Sequence, residues 1–419
     1  MGVQWSDRKQ GYCARSAFDS RRRGIRFPRM AQQTYTGIDI GTYHVKVVIA
    51  AAPESPDSPM QILGSGTAGS RGMRHGYIID VKEVGKSVRE ALSRAETAAR
   101  VRVSHARVAV GGVGLDEVRS SGDVTLTPSG GIVTNDLMER AVREAEKRAA
   151  SKLINRSVIH AIPLEYRLDG EKVFGKPLGL QGTKLVVDVL LITMLTKHHD
   201  DILEAVENAG VEVEGVMASP VAASFVTLSK AQKTAGVVLA NIGAETLSVI
   251  VYDNDTPISV KVFPIGAADI TEKIALTFQM PLPEAEQAKR GAVLGGDVPG
   301  RKIQSLMSAR LKEMFTLVNA HLRTINRQRL LPAGIVITGG GSSIASASDV
   351  ARTILRLPSQ ISVIGSLARS SSVDATWAVA YGLCRWAYAE EVSSKGHSLS
   401  EVLKGGWDSI KGTFKSLLP

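Results

Sequence analysis

The chain has 419 residues, 44% apolar and 22% charged, which is enough for two or more globular domains. Aromatic residues make up only 5%, which argues against base-stacking surfaces, so no nucleic-acid partner is predicted. The two cysteines, Cys13 and Cys384, exclude a disulfide framework and indicate a reducing compartment. No apolar run approaches the roughly 18 residues needed to span a bilayer, and no signal peptide is recognisable, so we expect a cytoplasmic protein.

The net charge of +10 is concentrated in residues 1–33, which contain eight Lys or Arg against two Asp, a net +6. The remainder is therefore not a polyanion binder by composition. The basic stretch is polar and has no hydrophobic period, which is typical of disorder. Two interpretations stand side by side: a disordered extension, or a mis-assigned start with Met30 as the true first residue.

Strands and helices are predicted to alternate along the rest of the chain, which indicates an α/β fold. Predicted strands run through Ile38 and over Val45–Ile49, Val108–Val113, Leu185–Leu195, Val237–Tyr252 (two strands around a turn) and Gly334–Thr338. Predicted helices cover Val81–Arg100, Asn135–Lys152 after the N-cap Thr134, Asp200–Ala209 before Gly210, Lys302–Gln328 and a segment beginning near Ser343.

One strand–turn–strand unit occurs twice. The sequence Gly-Ile-Asp-Ile-Gly-Thr at 37–42 is echoed by Leu-Ala-Asn-Ile-Gly-Ala at 239–244, a shift of 202 residues. The shift places Gly41 on Gly243, each between two predicted strands. Such an echo at long separation predicts a duplicated domain.

Both glycine turns suit phosphate binding, because a residue without Cβ lets backbone N–H groups approach phosphate oxygens. Asp39, just before the first glycine, can hold the hydration shell of Mg²⁺. Lys46, on the following strand, can lean back across the turn and neutralise phosphate charge. A third motif, Ile335–Ser342, is a buried strand that ends in three glycines, where adenine and ribose can lie against bare backbone. Each motif alone is weak, but the three together predict a nucleotide site.

These motifs resemble the phosphate-1, phosphate-2 and adenosine motifs of the actin and heat-shock-chaperone ATPase superfamily. Within it, the chain is most similar to the FtsA family of bacterial cell-division proteins, over roughly residues 36–390. Further segments carry that likeness: Ser70–Tyr77 (SRGMRHGY), Pro163–Tyr166, Pro177–Gly182, Leu191–Thr193, Ala205–Val211 and Ala285–Lys289.

The resemblance implies a duplicated, two-lobed actin-like (ribonuclease H-like) α/β fold with an FtsA-type inserted subdomain and a C-terminal amphipathic helix. The expected parts are lobe 1 (34–103, 191–213 and 370–390), the insert (104–190), lobe 2 (214–369, with a peptide-binding subdomain near 270–330), a linker (391–404) and the helix (405–419).

The implied cofactors are ATP and Mg²⁺, the metal being held through water by Asp39. The expected nucleotide-binding residues are Asp39, Gly41, Thr42, Tyr43, Lys46, Asn241, Gly243, Ala244, Glu245, Thr246, Glu286, Lys289, Gly339, Gly340, Gly341 and Ser342. By the resemblance, Glu286 and Lys289 would approach the ribose or base; a solvated helix face is the alternative.

The chain departs from the family pattern at the second phosphate motif. The family usually has Asp where this chain has Asn241, and an amide can neither act as a base nor bind Mg²⁺ comparably. Ala244 and Glu245 replace glycines, and Glu245 would bring negative charge near the γ-phosphate unless it points away. We therefore expect slow or absent hydrolysis, and no catalytic residue is predicted.

The C-terminal segment has the pattern of a membrane-surface helix. An apolar face is predicted for Trp407, Ile410, Phe414, Leu417 and Leu418, flanked by the cations Lys404, Lys411 and Lys415. Because a polar linker precedes it, we favour an anchor on anionic lipid. A helix docked on the protein's own core is the alternative.

The family resemblance implies further partners. The acidic C-terminal peptide of the tubulin-like FtsZ would meet Arg301, Lys302 and Arg310, the chain would self-associate into filaments, and later division proteins would bind residues 104–190. The implied function is to anchor the FtsZ ring at the division site on the cytoplasmic face of the inner membrane. A type IV pilus assembly protein of the PilM type is the alternative; a chaperone or a sugar kinase fits less well.

Overall fold

The computed structural model describes residues 33–53, 58–127, 130–292, 299–364 and 374–394. The predicted amphipathic helix, nearly all of the basic extension and most of the linker lie outside these residues. Within the described part of the chain, no helix is both long and apolar enough to cross a membrane.

The strands, in chain order, are β1 (Thr34–Ile40), β2 (His44–Ala51), β3 (Gln61–Gly69), β4 (Met73–Arg74), β5 (Tyr77–Ile78), β6 (His105–Val110), β7 (Asp116–Thr125), β8 (Gly131–Ile132), β9 (Arg156–Leu168), β10 (Glu171–Val173), β11 (Gln181–Gly182), β12 (Lys184–Leu195), β13 (Glu212–Ala218), β14 (Val237–Ile242), β15 (Leu247–Asp253), β16 (Thr256–Phe263), β17 (Ile335–Thr338) and β18 (Ser359–Ile361).

The α-helices are α1 (Val81–Ala99), α2 (Asn135–Arg148), α3 (Thr196–Glu207), α4 (Ser219–Thr227), α5 (Lys230–Ala235), α6 (Ala267–Phe278), α7 (Leu282–Lys289), α8 (Gly300–Thr324), α9 (Ala347–Leu355) and α10 (Ala378–Ser394). Short 3₁₀ turns cover Ala150–Lys152, Gly340–Ser343 and Ala375–Trp377.

Two five-stranded sheets have the same topology. The first has the order β3-β2-β1-β6-β13 and the second β16-β15-β14-β17-β18. In both, the first three strands of the order are antiparallel and the last two join in parallel. Their central strands are rich in Val and Ile that are fully buried, as strands covered on both faces require.

Each sheet has its own apolar core. On the first, α1 packs against β3, and α10 packs against β1 and α4. On the second, α6, α8 and α9 contribute buried side chains next to β14, β15 and β17. The sheets therefore form two lobes of equivalent construction.

The duplication extends to atomic detail at the two glycine turns. Gly41 N–H donates to the carbonyl of His44 over 3.1 Å, and Gly243 N–H donates to the carbonyl of Thr246 over 2.8 Å. Both pairs are related by the same 202-residue shift that the sequence indicated. The predicted duplication is confirmed.

A third, antiparallel sheet forms the inserted subdomain, in the order β10-β9-β12-β7. Helix α2 packs on β7 so closely that a Cβ at Gly122 would lie 2.0 Å from the carbonyl oxygen of Ala141. The predicted N-cap is confirmed, because the Thr134 hydroxyl accepts a hydrogen bond from Leu137 N–H over 3.3 Å. The helix ends at Arg148, and a 3₁₀ turn replaces its predicted last turn.

The edges of the insert differ from the expected 104–190. Strand β6, expected there, pairs in parallel with β1 and β13 and thus belongs to the first sheet. Strand β12 stays in the inserted sheet as far as Leu195, and β13 extends the first sheet to Ala218. A strand's sequence indicates its burial but not its neighbours, which is why these edges were misplaced.

Three helices also differ from their predicted bounds. The helix expected near Ser343 begins at Ala347, because the glycine-rich segment first makes a 3₁₀ turn. The helix predicted from Asp200 begins at Thr196. The long helix predicted as Lys302–Gln328 is shifted slightly and spans Gly300–Thr324.

Candidate functional site

The first glycine turn joins β1 to β2 and places two charged side chains on paired strands. Asp39 and Lys46 are direct partners in the β1–β2 register. Burial raises the pKa of Asp39 to about 6, although the positive charge of Lys46 acts in the opposite direction. Because burial makes the ionised form of Asp39 unfavourable, a cation bound nearby would stabilise that form.

Lys46 does not project over the turn. Its Nζ donates to the carbonyl of Thr376 over 2.7 Å and lies 5.9 Å from the centre of the Trp377 ring. Burial lowers the pKa of Lys46, and the negative charges of Asp39 and Asp374 partly offset this effect. The amine therefore connects the first turn to the segment that precedes α10.

That segment, the 3₁₀ turn Ala375–Trp377, was not predicted as part of the site. The Thr338 hydroxyl, at the end of β17, donates to the carbonyl of Ala375 over 3.0 Å. The turn thus contacts both the first strand pair and the strand that leads into the glycine-rich motif. One sequence signal could have indicated this turn, because an Asp before an apolar helix is a frequent N-cap. In the structure the Asp374 carboxylate accepts a hydrogen bond from Thr376 N–H over 2.9 Å.

Thr42 and Tyr43 form the middle of the first turn. The Tyr43 ring is 57% exposed and stands edge-on to His44, with ring centres 4.5 Å apart. Burial lowers the pKa of His44, as do the positive charges of Lys46 and Arg290. Since Arg290 directly follows α7 of the second lobe, cations of both lobes act on the first turn, which suits a polyanionic ligand. We call the space between the two lobes at the glycine turns the cleft.

The second glycine turn is braced by the first residues of α6. Ala267 N–H donates to the carbonyl of Gly243 over 2.9 Å, and Ala268 N–H donates to the carbonyl of Ala244 over 2.7 Å. Thr246 closes the turn as acceptor for Gly243. The positive end of the α6 dipole therefore lies against this turn, which favours negative charge nearby.

Glu245 points away from the second turn toward the other lobe. Its carboxylate accepts a hydrogen bond from His75 N–H, in the hairpin between β4 and β5. Neither His75 nor this crossing was predicted. No local signal could have revealed it, because the two residues are 170 positions apart.

Glu286 and Lys289 are engaged with the start of α6. Lys289 Nζ lies 2.6 Å from the Glu286 carboxylate and donates to the Thr271 hydroxyl and the Ala267 carbonyl over 2.8 and 3.1 Å. Burial acts to raise the pKa of Glu286, but hydrogen bonds from Lys289, Thr271 and Arg290 outweigh it and lower the pKa. The pair is therefore not a solvated helix face, and it lies next to the braced second turn.

The glycine-rich motif after β17 packs on the end of β14. Gly339 has φ +84°, and a Cβ there would lie 2.2 Å from Oδ1 of Asn241. Gly341 is closed in by Ile242, and the buried Ser342 hydroxyl donates to the Gly339 carbonyl over 2.6 Å. Asn241, at the end of β14 and just before the second turn, therefore lies against this motif.

Gly340 is different from its neighbours. Its φ is not in the left-handed region, and a Cβ built on it would meet no atom within 4 Å. Neither backbone strain nor packing within the protein requires a glycine at position 340. A flat ligand that rests on the backbone would require one, because a side chain would occupy its place. With the glycine turns at Gly41 and Gly243 and the single carboxylate of Asp39, the residues fit a nucleotide whose phosphates carry a hydrated cation. The described residues hold no cluster of three or more metal-binding side chains.

The three predicted partner-binding cations lie on α8 but do not form one surface. Arg301 and Arg310 are nine residues apart, about two and a half helical turns, so they lie on opposite faces. Lys302 stacks over the Phe278 ring at 5.4 Å, and Arg310 pairs with Glu313. Arg301 is exposed at the helix start and remains accessible.

The comparisons with known proteins agree with this architecture. The family model "SHS2 domain inserted in FTSA" matches residues 112–193, and the model of the cell division protein FtsA matches residues 238–382. The first range agrees with the inserted sheet found here.

Among curated proteins, the chain is similar to cell division protein FtsA of Pseudomonas aeruginosa, with 27% identity over 87% of this chain and 91% of the relative. It is 25% identical to FtsA of Borreliella burgdorferi over 90% and 96% of the two chains. It is 29% identical to FtsA of Escherichia coli over 78% of this chain and 84% of the relative.

Among solved structures, the chain is similar to a PilM-PilN type IV pilus biogenesis complex, with a TM-score of 0.61 and 21% identity over 84% of this chain and 98% of that one. Ethanolamine utilization protein EutJ from Carboxydothermus hydrogenoformans matches with a TM-score of 0.52 and 14% identity, over 85% and 91% of the chains. At these identities the likeness concerns the fold alone, and it agrees with the expected two-lobed fold.

Proposed function

This chain belongs to the FtsA family of cell-division proteins in the actin-like ATPase superfamily, and on that premise we propose that it is an ATP-binding adaptor that ties FtsZ filaments to the membrane. In this proposal it acts at the division site, on the cytoplasmic face of the inner membrane. Its inserted subdomain recruits later division proteins.

The observation that carries the nucleotide part is the pair of matched turns. Gly41 and Gly243 make the same backbone hydrogen bond in two lobes of equal topology, and the open backbone of Gly340 follows the strand next to the second turn. ATP would place its phosphates at the turns and its adenosine over Gly340. Asp39 would hold Mg²⁺ through water.

The membrane part of the proposal rests on the sequence of the C-terminal segment. Trp407 and Phe414 supply the aromatic apolar face typical of interfacial helices, and Lys411 and Lys415 would face anionic headgroups. Each lysine near such a surface contributes on the order of 1 kcal/mol. One short helix binds weakly, so self-association into filaments would supply the avidity.

The FtsZ part rests on the cations of α8. An acidic peptide would meet Arg301 first, because that side chain is exposed at the start of the helix. Lys302 is held over Phe278, so its charge is positioned close by. Since Arg310 lies on the far face and pairs with Glu313, we assign it the smaller part in this contact.

We expect removal of residues 400–419 to reduce binding to anionic vesicles by about tenfold or more, since three lysines and the apolar face are lost together. Liposome co-sedimentation of the full chain and the 1–399 truncation, with and without ATP, measures this. The full chain should sediment more strongly with ATP. As a matched control, the Lys411→Glu, Lys415→Glu double variant should lose its preference for anionic over neutral vesicles. Equal, negligible binding by full chain and truncation would contradict the adaptor function.

We expect wild-type protein to hydrolyse ATP slowly or not at all, and Asn241→Asp to raise the Mg²⁺-dependent rate by about tenfold or more. A carboxylate beside the second turn would orient the metal and water, which the amide cannot do. Phosphate release under single-turnover conditions measures the rate, with Asn241→Ala as control for loss of the amide alone. Fast Mg²⁺-dependent turnover by the wild type would contradict the expectation.

A pilus-assembly function is the weaker candidate. The likeness to the PilM-PilN complex supports a shared fold, while both matching family models are those of FtsA. The vesicle experiment separates the two, because a soluble pilus-type protein would be indifferent to loss of the C-terminal segment.

A further inference from the structure

The hairpin between β4 and β5 ends in a tight two-residue turn made by His75 and Gly76. Both residues have left-handed backbone angles, with φ +49° and +80°, as the commonest two-residue hairpin turn requires. A Cβ on Gly76 would lie 2.3 Å from Cα of Gly112, so the backbone of the tip is in direct contact with the segment that follows β6. The tip is therefore firmly attached to the first lobe.

Glu245 of the second lobe reaches this tip. Its carboxylate accepts from His75 N–H and lies 3.9 Å from Nδ1 of the same residue, while its own carbonyl lies 3.4 Å from that nitrogen. A hydrogen bond to an ionised acceptor is stronger and shorter than a neutral one. Both side chains remain partly exposed, so the contact can open and close.

The position of this contact matters for the cleft. Glu245 comes two residues after Gly243, which is the counterpart of Gly41 in the second copy, and the turn itself is braced by α6. Any motion that separates the two glycine turns widely must therefore also separate Glu245 from the hairpin tip. A ligand whose phosphates lie between the turns is released through the same motion.

We propose that Glu245 and the His75–Gly76 tip form a latch that joins the two lobes at the phosphate end of the cleft and slows nucleotide exchange. This inference rests on the proposed nucleotide-binding function. Glu245 stands where the family usually has a glycine. In this proposal its carboxylate holds the cleft closed and does not repel the terminal phosphate.

The test compares two substitutions of Glu245 in the full chain. Glu245→Ala removes the acceptor and should speed dissociation of a fluorescent ATP analogue by about tenfold, in line with the loss of a charge-assisted hydrogen bond. Glu245→Gln keeps an oxygen acceptor without the charge and should change the rate by no more than about threefold. Glu272→Ala, at an exposed glutamate of α6, is the matched control and should behave as wild type.

His75→Asn separates the backbone donor from the ring. Asparagine tolerates the left-handed backbone and keeps the N–H group, so dissociation should stay within about twofold of wild type. If Ala and Gln at position 245 instead slow dissociation equally, Glu245 acts by charge repulsion and the latch is wrong. Unchanged rates in both would also overturn it.

A readout without nucleotide distinguishes failure of the latch from failure of the proposed function. Hydrogen exchange of a peptide covering residues 73–78 should be faster in Glu245→Ala than in wild type, and nearly unchanged in Glu245→Gln. If wild-type protein binds no nucleotide, the proposed function fails. The hydrogen exchange of residues 73–78 then tests by itself whether Glu245 holds the two lobes together. Equal exchange in wild type and Glu245→Ala would overturn the latch whether or not nucleotide binds.

Discussion

Replacing Gly340 by leucine is expected to weaken ATP binding by about 100-fold or more, while the free energy of unfolding stays within about 0.5 kcal/mol of wild type. A Cβ at this position meets no protein atom within 4 Å, so the new side chain has room in the ligand-free protein. In the complex it would occupy the space over the backbone where we place the adenosine. The substitution thus separates ligand binding from folding.

The neighbouring glycine supplies the matched control. A Cβ on Gly341 would lie 2.3 Å from a side-chain carbon of Ile242, so Gly341→Ala should destabilise the fold by about 1–3 kcal/mol. Titration with a fluorescent nucleotide and urea unfolding measure the two quantities. Unchanged affinity in Gly340→Leu would contradict the placement of the adenosine over this backbone.

The sequence predicted the frame of this site because the frame is local and repeated. A strand, a glycine turn and a second strand can be recognised within about fifteen residues, and the echo at 202 residues identified their equivalence. The buried Val and Ile of β1, β2, β14 and β15 show the same pattern in both copies. The structure added the hydrogen bonds that make the two turns equal.

Contacts between distant segments could not be predicted in this way. Lys46 was expected to lean over its own turn, but its Nζ donates to Thr376, 330 positions later. The contact of Glu245 with His75 has the same character. The direction of these two side chains depends on which distant segments the fold brings next to them. The hydrophobic period of the sequence carries no information on those segments.

The insert boundary failed for a related reason. The sequence of β6 reads as a buried strand in either neighbourhood, and only its pairing with β1 and β13 assigns it to the first lobe. Likewise, Arg301 and Arg310 share one helix, but their spacing of nine residues places them on opposite faces. The sequence shows which residues of this helix are cations. Their positions around the helix decide which of them can bind the same peptide.

His160 is expected to make the protein acid-labile. It lies on β9 of the inserted sheet, is only 1% exposed, and its Nε2 accepts a hydrogen bond from Ala218 N–H over 3.0 Å. Since that nitrogen must carry a lone pair, protonation would break a contact between the insert and β13. Burial lowers the pKa of His160 to about 3, against 6.5 for an ordinary histidine.

The sign of the pH effect follows from these two values. Between pH 6.5 and 3 the unfolded chain binds a proton at this residue and the folded chain does not, so stability falls as the pH falls. From pH 7 to pH 5 the loss assigned to His160 is about 2 kcal/mol. Urea unfolding at the two pH values measures the total loss, to which other histidines also contribute, such as the half-buried His321, whose pKa is lowered to about 4.

The substitution His160→Gln isolates the contribution of this one imidazole. The glutamine oxygen can take the place of Nε2 as acceptor but does not titrate, so the variant should be less stable than wild type at pH 7 because of imperfect packing. Its further loss on going to pH 5 should be smaller than that of wild type by about 2 kcal/mol. If His160→Gln loses as much stability as wild type on going to pH 5, the imidazole is not held neutral in the folded protein, which would contradict this prediction.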